Sequence, residues 1–217
     1  MIAVVSGRAG GLRTQVEAAL RAAGVKVGAH PSPSLAVLLE DAAHPPWPDL
    51  PTIVISSKTD IDSFTNAITS GVAAYLATPL DAGELIAAAR RLARWKAPAP
   101  GTSTRARSRR PLLLDVDLEI DGRPVRGHLV DVSAGGCRVE TVGRVSRGAA
   151  VRLTPRALGT STGIALGATV TRTRRDDTVQ PPMCEAALRF NGTSALVAAR
   201  IFGAPGADRR QALRPRS

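Results

Sequence analysis

The stretch that decides the fold runs from Arg105 to Gly136: RARSRRPLLLDVDLEIDGRPVRGHLVDVSAGG. Within it Leu112, Leu114, Val116, Leu118 and Ile120 alternate with Asp115, Asp117, Glu119 and Asp121. A period of two residues belongs to a strand with one face in a core and the other in water. Asp121-Gly122 follows, a pair that tolerates the positive φ of a tight hairpin turn, and Val125–Val130 returns as the partner strand. Such a hairpin brings two polar segments to one end of a sheet. One is an arm with arginines at 105, 107, 109 and 110, and the other is the turn Asp131-Val-Ser133-Ala-Gly-Gly136.

The residue types in these segments suit an anionic purine nucleotide. Guanidinium forks match phosphate oxygens and the O6/N7 edge of guanine, and their planes stack on a purine. A carboxylate accepts from the N1–H and the 2-amino group of guanine, and a serine hydroxyl adds an adaptable partner. Gly135 and Gly136 leave no Cβ in the way of a close approach. Arg105-Ala-Arg-Ser-Arg109, then a strand pair, then Asp131-Val-Ser133-Ala-Gly-Gly136 resembles the PilZ signature RxxxR…[D/N]xSxxG. The resemblance implies a small six-stranded barrel that binds cyclic di-GMP, a bacterial second messenger. It implies Arg105, Arg109, Asp131, Ser133 and Gly136 as the ligand-binding residues, with Arg107 and Arg110 mattering less.

Downstream, Cys137, Val139 and Thr141 alternate with Arg138 and Glu140, and Ala150–Thr154, Ala168–Arg174 and Cys184–Phe190 read as further strands. Ala187 stands where this family commonly has glycine. Thr193–Phe202 reads as a short closing helix, and the tail after Pro205 has no core-forming pattern. Arg172, Arg174 and Arg175 form a second basic cluster, read as a solvated strand end.

Upstream, Ala97–Thr104 has the composition of a linker. Before it strands and helices alternate: strand Ile2–Val5, a helix carrying Leu12, Val16 and Leu20, and strand Val25–Val27. A helix over Leu35, Leu38 and Leu39 comes next, then strand Thr52–Ser56 and a helix capped by Asp60. Strand Ala73–Leu76 and a helix opened by Asp81-Ala-Gly-Glu84 complete the half. This alternation implies a parallel sheet with helices on both faces. Pro51–Ser57 through Gly71–Asp81 resembles the fourth strand, helix, fifth strand and last helix of a response-regulator receiver domain, with Tyr75 at its switch aromatic and Ser56 at its Thr/Ser. The departures are large. Ser6-Gly7-Arg8 replaces the acidic pair that holds Mg²⁺, Thr78-Pro79 replaces Lys-Pro, and one strand–helix unit is missing. Aspartyl phosphorylation needs a metal-binding carboxylate cluster, so this half reads as a degenerate receiver kept for protein contacts. Family analogy makes the Thr78–Pro79 bond cis. Gly7–Thr14 is no P-loop, because Leu12 and Arg13 stand where a glycine and the lysine belong.

The chain has 217 residues and a net charge of +11. Residues 1–97 carry nine Lys/Arg against eight Asp/Glu, and residues 98–217 carry twenty against ten. Nearly all the excess lies on the C-terminal half, as expected of an anionic partner, with nucleic acid the rival explanation for such a patch. Aromatics are only 3% of the chain, so the cores are aliphatic. The aromatic platforms on which nucleic-acid-binding barrels stack bases are lacking. The two cysteines read as buried thiols, and the three scattered histidines suit no metal. With no membrane-spanning run and no signal peptide, a cytoplasmic location is expected.

These readings set the expectations. Residues 1–97 form a truncated receiver-like doubly wound α/β sheet, 98–104 a linker, 105–203 an all-β six-stranded barrel with a short C-terminal helix, and 204–217 a tail. The protein is a non-enzymatic cyclic di-GMP receptor without cofactor or metal. It signals to a protein partner through the receiver-like domain, in motility, pili or exopolysaccharide regulation. The alternative is a basic nucleic-acid-binding regulator.

Overall fold

The computed structural model describes residues 1–7, 10–28, 33–39, 50–94, 109–157, 159–178 and 180–202. The expected linker and tail therefore lie outside the described residues. The first half contains β1 (Ile2–Ser6), α1 (Gly11–Ala22), β2 (Lys26–Val27), β3 (Leu35–Leu39), β4 (Thr52–Ser56), α2 (Ile61–Thr69), β5 (Ala74–Ala77) and α3 (Ala82–Arg94). Its five strands are parallel, in the order β2-β1-β3-β4-β5. Strand side chains point alternately to the two faces. Ile53, Ile55 and Leu76 pack with Leu20, Leu85 and Leu92 of α1 and α3, while Val54 and Tyr75 pack with Phe64 and Ile68 of α2. The sheet is thus covered on both faces. Asp60 Oδ1 accepts from Ser63 N at 2.7 Å and caps α2. Asp81 Oδ1 accepts from Gly83 N at 2.7 Å at the start of α3.

The helix expected over Leu35–Leu39 is instead β3, so the unit counted as missing still supplies its strand. All five residues of Leu-Ala-Val-Leu-Leu are buried between β1 and β4. A central parallel strand is apolar on both faces, and a short continuous apolar run cannot be told from a buried helix by period. Seven residues, 28–34, separate β2 from β3 in sequence, and 29–32 lie outside the described residues. Glu40 and Asp41 follow β3 in sequence and lie outside the described residues.

The C-terminal half contains β6 (Arg110–Ile120), β7 (Arg123–Ser133), β8 (Gly136–Val142), β9 (Ala150–Ala157), β10 (Thr160–Ser161), β11 (Leu166–Asp176), β12 (Met183–Phe190) and α4 (Gly192–Phe202). The antiparallel order β9-β11-β12-β8-β7-β6 closes on itself through β6–β9 pairing, from Val116↔Pro155 to Ile120↔Val151. This is a six-stranded barrel, with β10 a two-residue addition at the edge of β9. Leu112, Val116, Leu118, Leu129, Val139, Leu153, Leu166 and Leu188 fill its interior. Asp121 and Gly122 both take positive φ in the expected tight turn.

The two halves share one apolar cluster. Leu38, Val54, Phe64, Ile68, Val72 and Tyr75 join the barrel core. Leu113, the apolar residue that breaks the β6 alternation, packs on the other core of the first half. A register shift between Pro111 and Leu114 frees Leu113 N to donate to Ala73 O at 2.6 Å. Arg110 ties the junction together. Its Nη2 donates to Ile68 O at 2.8 Å, its Nη1 to Val72 O at 3.3 Å and its Nε to Phe202 O at 3.4 Å. The Ile68 and Phe202 carbonyls sit at the C-terminal ends of α2 and α4, where helix dipoles favour a cation, and Val72 follows α2 before β5. Burial pulls the guanidinium down to about 10, which leaves it charged at neutral pH. Arg110→Ala would strip a cation from three acceptors, and hydrogen bonds to charged groups contribute about 1.5–3 kcal/mol. We expect a loss of about 2–3 kcal/mol in urea unfolding, on the same scale. A midpoint unchanged from wild type would show that the junction does not depend on Arg110.

Candidate functional site

Arg109 is the residue immediately before β6, and β6 pairs with β7 so that Pro111 faces Asp131 and Arg110 faces Val132. Antiparallel pairing therefore delivers Arg109 to the end of β7, as the hairpin reading requires. Its Nη1 lies 2.6 Å from Asp131 Oδ1. The Asp131 side chain is only 6% exposed and that of Arg109 20%, so this is a largely desolvated, charge-assisted contact. Arg105 and Arg107 lie outside the described residues.

The turn after Ser133 has two residues, Ala134 and Gly135, and sets the register of β8. Ser133 pairs with Gly136, Val132 with Cys137 and Asp131 with Arg138. Arg138 Nε thereby comes within 2.9 Å of Asp131 Oδ2, and its Nη1 donates to Glu185 Oε2 at 3.3 Å. The Nε–Oδ2 approach is an ion pair and not an aligned hydrogen bond, for that buried nitrogen has no hydrogen-bond partner. Arg138 is absent from the expected site residues. Counting outward from a two-residue turn would have found it, because that count puts residues 131 and 138 opposite each other.

Ser133 Oγ donates to Gly136 O at 3.1 Å and closes the turn from within. Gly136 has a packing role that the sequence does not reveal. A Cβ there would stand 2.1 Å from Leu188 O and 3.2 Å from Arg189 Cα, both backbone atoms of β12. At Gly135 a Cβ would meet nothing within 4 Å. The open side of the turn is therefore at Gly135, and Gly136 lets β8 lie against β12. Cys137 is buried beneath the turn, and burial, with the Asp131 carboxylate nearby, pushes its thiol far above the ordinary range. It is a packing group and no nucleophile. Cys184 is likewise buried and free.

Asp131 thus sits between two guanidinium groups, one on each oxygen. A carboxylate offers about four lone-pair positions, so two arginines do not saturate it. The arrangement can hold an anion at Arg109 and accept N–H groups at Asp131. Along the same row of the sheet, Arg138 pairs with Ala187 and Ala187 with Arg172. Arg172, Arg174 and Arg175 are exposed on β11, and Arg175 pairs locally with Asp177. A separate cavity of about 770 Å³ lies between the halves, lined by Tyr75, Glu84, Asp115 and His128 among others, and contains none of Arg109, Asp131, Ser133 or Gly136. Among the described residues no group of His, Cys, Asp and Glu is placed to hold a metal ion. No helix among them is long and apolar enough to cross a membrane.

A family profile described as "PilZ domain" matches residues 103–201. No curated protein matches the chain. Among solved structures, the inhibitor of motility MotI/DgrA of Bacillus subtilis is similar at 20% identity with a TM-score of 0.36, covering 52% of this chain and 53% of that one. The chain therefore spans about half the length of that protein. The PilZ domain of YcgR from Escherichia coli, in a structure with c-di-GMP, is 16% identical with a TM-score of 0.35, covering 52% of this chain and all of that one. A response regulator from Thermotoga maritima is 17% identical with a TM-score of 0.37, covering 42% of this chain and 95% of that one.

Proposed function

Because residues 103–201 are a PilZ domain, we propose that this chain is a bacterial cyclic di-GMP receptor acting through Arg105, Arg109, Asp131, Ser133 and Gly136. The observation that carries the reading is the meeting of Arg109 and Asp131 at 2.6 Å on the rim of the barrel. A guanidinium for phosphate and an acceptor for the guanine edge stand side by side there, as a guanine nucleotide requires. In this reading Arg105 reaches the same anion from the arm. The matched family is one of ligand binders, and the chain acts without catalysis. We take residues 1–97, 98–104, 105–203 and 204–217 as receiver-like domain, linker, ligand domain and tail.

Calorimetric titration with cyclic di-GMP, beside random single-stranded DNA and over a range of salt, tests the proposal. Saturable binding that discriminates among nucleotides supports it. Binding of DNA alone, falling steeply with salt, would replace it by the nucleic-acid reading.

The output is a protein partner engaged by the receiver-like half, in control of motility, pili or exopolysaccharide. That half transmits without phosphorylation. Ser6-Gly7 stands at the end of β1, where receivers hold their acidic pair, and a Cβ on Gly7 would lie 2.4 Å from Leu39 O at the end of β3. Backbone of β3 thus leaves no room at position 7 for the carboxylate side chain that a metal site would need there. The Thr78–Pro79 bond is cis, as expected, but carries threonine in place of lysine. Incubation with acetyl phosphate and Mg²⁺ is expected to leave the intact mass unchanged. A gain of one phosphoryl group on an aspartate would overturn this.

A further inference from the structure

We infer that Arg138 is a positioning residue that holds the Asp131 carboxylate ready for guanine, and so sets base selectivity at the site. The inference rests on the cyclic di-GMP reading above. Asp131 is nearly inaccessible, with a side chain 6% exposed. A carboxylate in such a place needs a counter-ion at all times, because leaving it unpaired is strongly unfavourable. Among the described residues it has two, Arg109 on Oδ1 and Arg138 on Oδ2.

The two differ in what they are free to do. Arg109 is the residue before β6 and its side chain is 20% exposed, so in this inference its guanidinium turns to a phosphate. Arg138 is held within the sheet. Its strand β8 is paired on both sides, with β7 and β12. Its guanidinium is clamped between Asp131 and Glu185, which reach it from those two neighbouring strands. When an anion draws Arg109 away, Oδ1 is vacated and Arg138 alone keeps Asp131 compensated. Because Arg138 stays in ion-pair contact with Oδ2, the carboxylate remains in place and the vacated Oδ1 keeps facing the ligand. That oxygen is the acceptor for the guanine N1–H and 2-amino groups. Ala187, the next residue along the row, has no side chain that could compete for Arg138.

The test compares cyclic di-GMP with cyclic di-inosine monophosphate, which keeps both phosphates, O6, N7 and N1–H and lacks only the 2-amino groups. Dissociation constants are measured for the full-length chain, Arg138→Ala and Arg138→Lys, with circular dichroism to confirm that each is folded. Wild type should prefer the guanine ligand by about tenfold or more, the usual scale of a hydrogen bond to a charged acceptor. Arg138→Ala should bring that preference to within about twofold, mainly through weaker cyclic di-GMP binding, because most of the same term is lost. Arg138→Lys restores part of it, since an ammonium keeps the charge but not the planar fork. A merely structural arginine would weaken both ligands alike and leave the preference intact, which would overturn the inference. If Arg138→Ala fails to fold, Arg138→Lys decides alone: an undiminished preference there overturns the inference, and a reduced one supports it. Failure of wild type to bind cyclic di-GMP at all would instead remove the receptor reading, and this inference with it.

Discussion

Gly136→Ala is expected to cost the barrel about 3 kcal/mol or more, at or above the upper end for an overpacked site. The new Cβ would stand 2.1 Å from Leu188 O, far inside van der Waals contact. Its obstacle is backbone, and that backbone cannot retreat. Leu188 and Arg189 are paired with Cys137 and Gly136 of β8 on one side and with Val170 and Thr169 of β11 on the other. Relief requires β8 and β12 to part, at the point where the Asp131–Arg138 pair is built. Gly135→Ala is the control. Its Cβ would meet nothing within 4 Å and its φ is not positive, so its midpoint should stay within about 0.5 kcal/mol of wild type. Urea unfolding followed by circular dichroism reads both. Equal stability of the two variants would mean that the β8–β12 register is wrong.

Arg109→Ala is expected to abolish most ligand binding while sparing the fold. Truncating one member of a desolvated contact between charged groups costs about 2–5 kcal/mol, or at least tens of fold in affinity. The fold survives because Asp131 keeps Arg138 as its counter-ion at 2.9 Å. Titration calorimetry with cyclic di-GMP measures the loss, and the urea midpoint shows whether the barrel has stayed intact. Wild-type affinity in Arg109→Ala would remove the site assignment. Wild-type affinity together with a collapsed midpoint would make Arg109 a structural residue.

The alternating residues of β6 and the Asp121-Gly122 turn were legible because they are local. A period of two shows which side chains face a core, and a hairpin of known turn length shows which ends meet. That was enough to bring Arg109 to Asp131. The α/β alternation of the first half was legible for the same reason, and so were the caps Asp60 and Asp81. Leu35–Leu39 was not, since an apolar run buried on both faces carries no period. Its identity as β3 follows only from lying between β1 and β4.

By itself, then, the chain's sequence determined the barrel hairpin and the two signature segments at its end. Each depends on residues near one another along the chain, where propensity, period and turn chemistry act. Tertiary structure decided everything that depends on which strands lie side by side. Closure of β6 on β9 made the barrel, and the β7–β8 register set Arg138 against Asp131. The approach of β12 required Gly136 to lack a side chain. The junction brought Arg110 to carbonyls of Ile68, Val72 and Phe202, roughly forty and ninety residues away. Contacts at such separations leave no periodic trace in the sequence, because neither partner constrains its own neighbours; only the packed fold makes them adjacent.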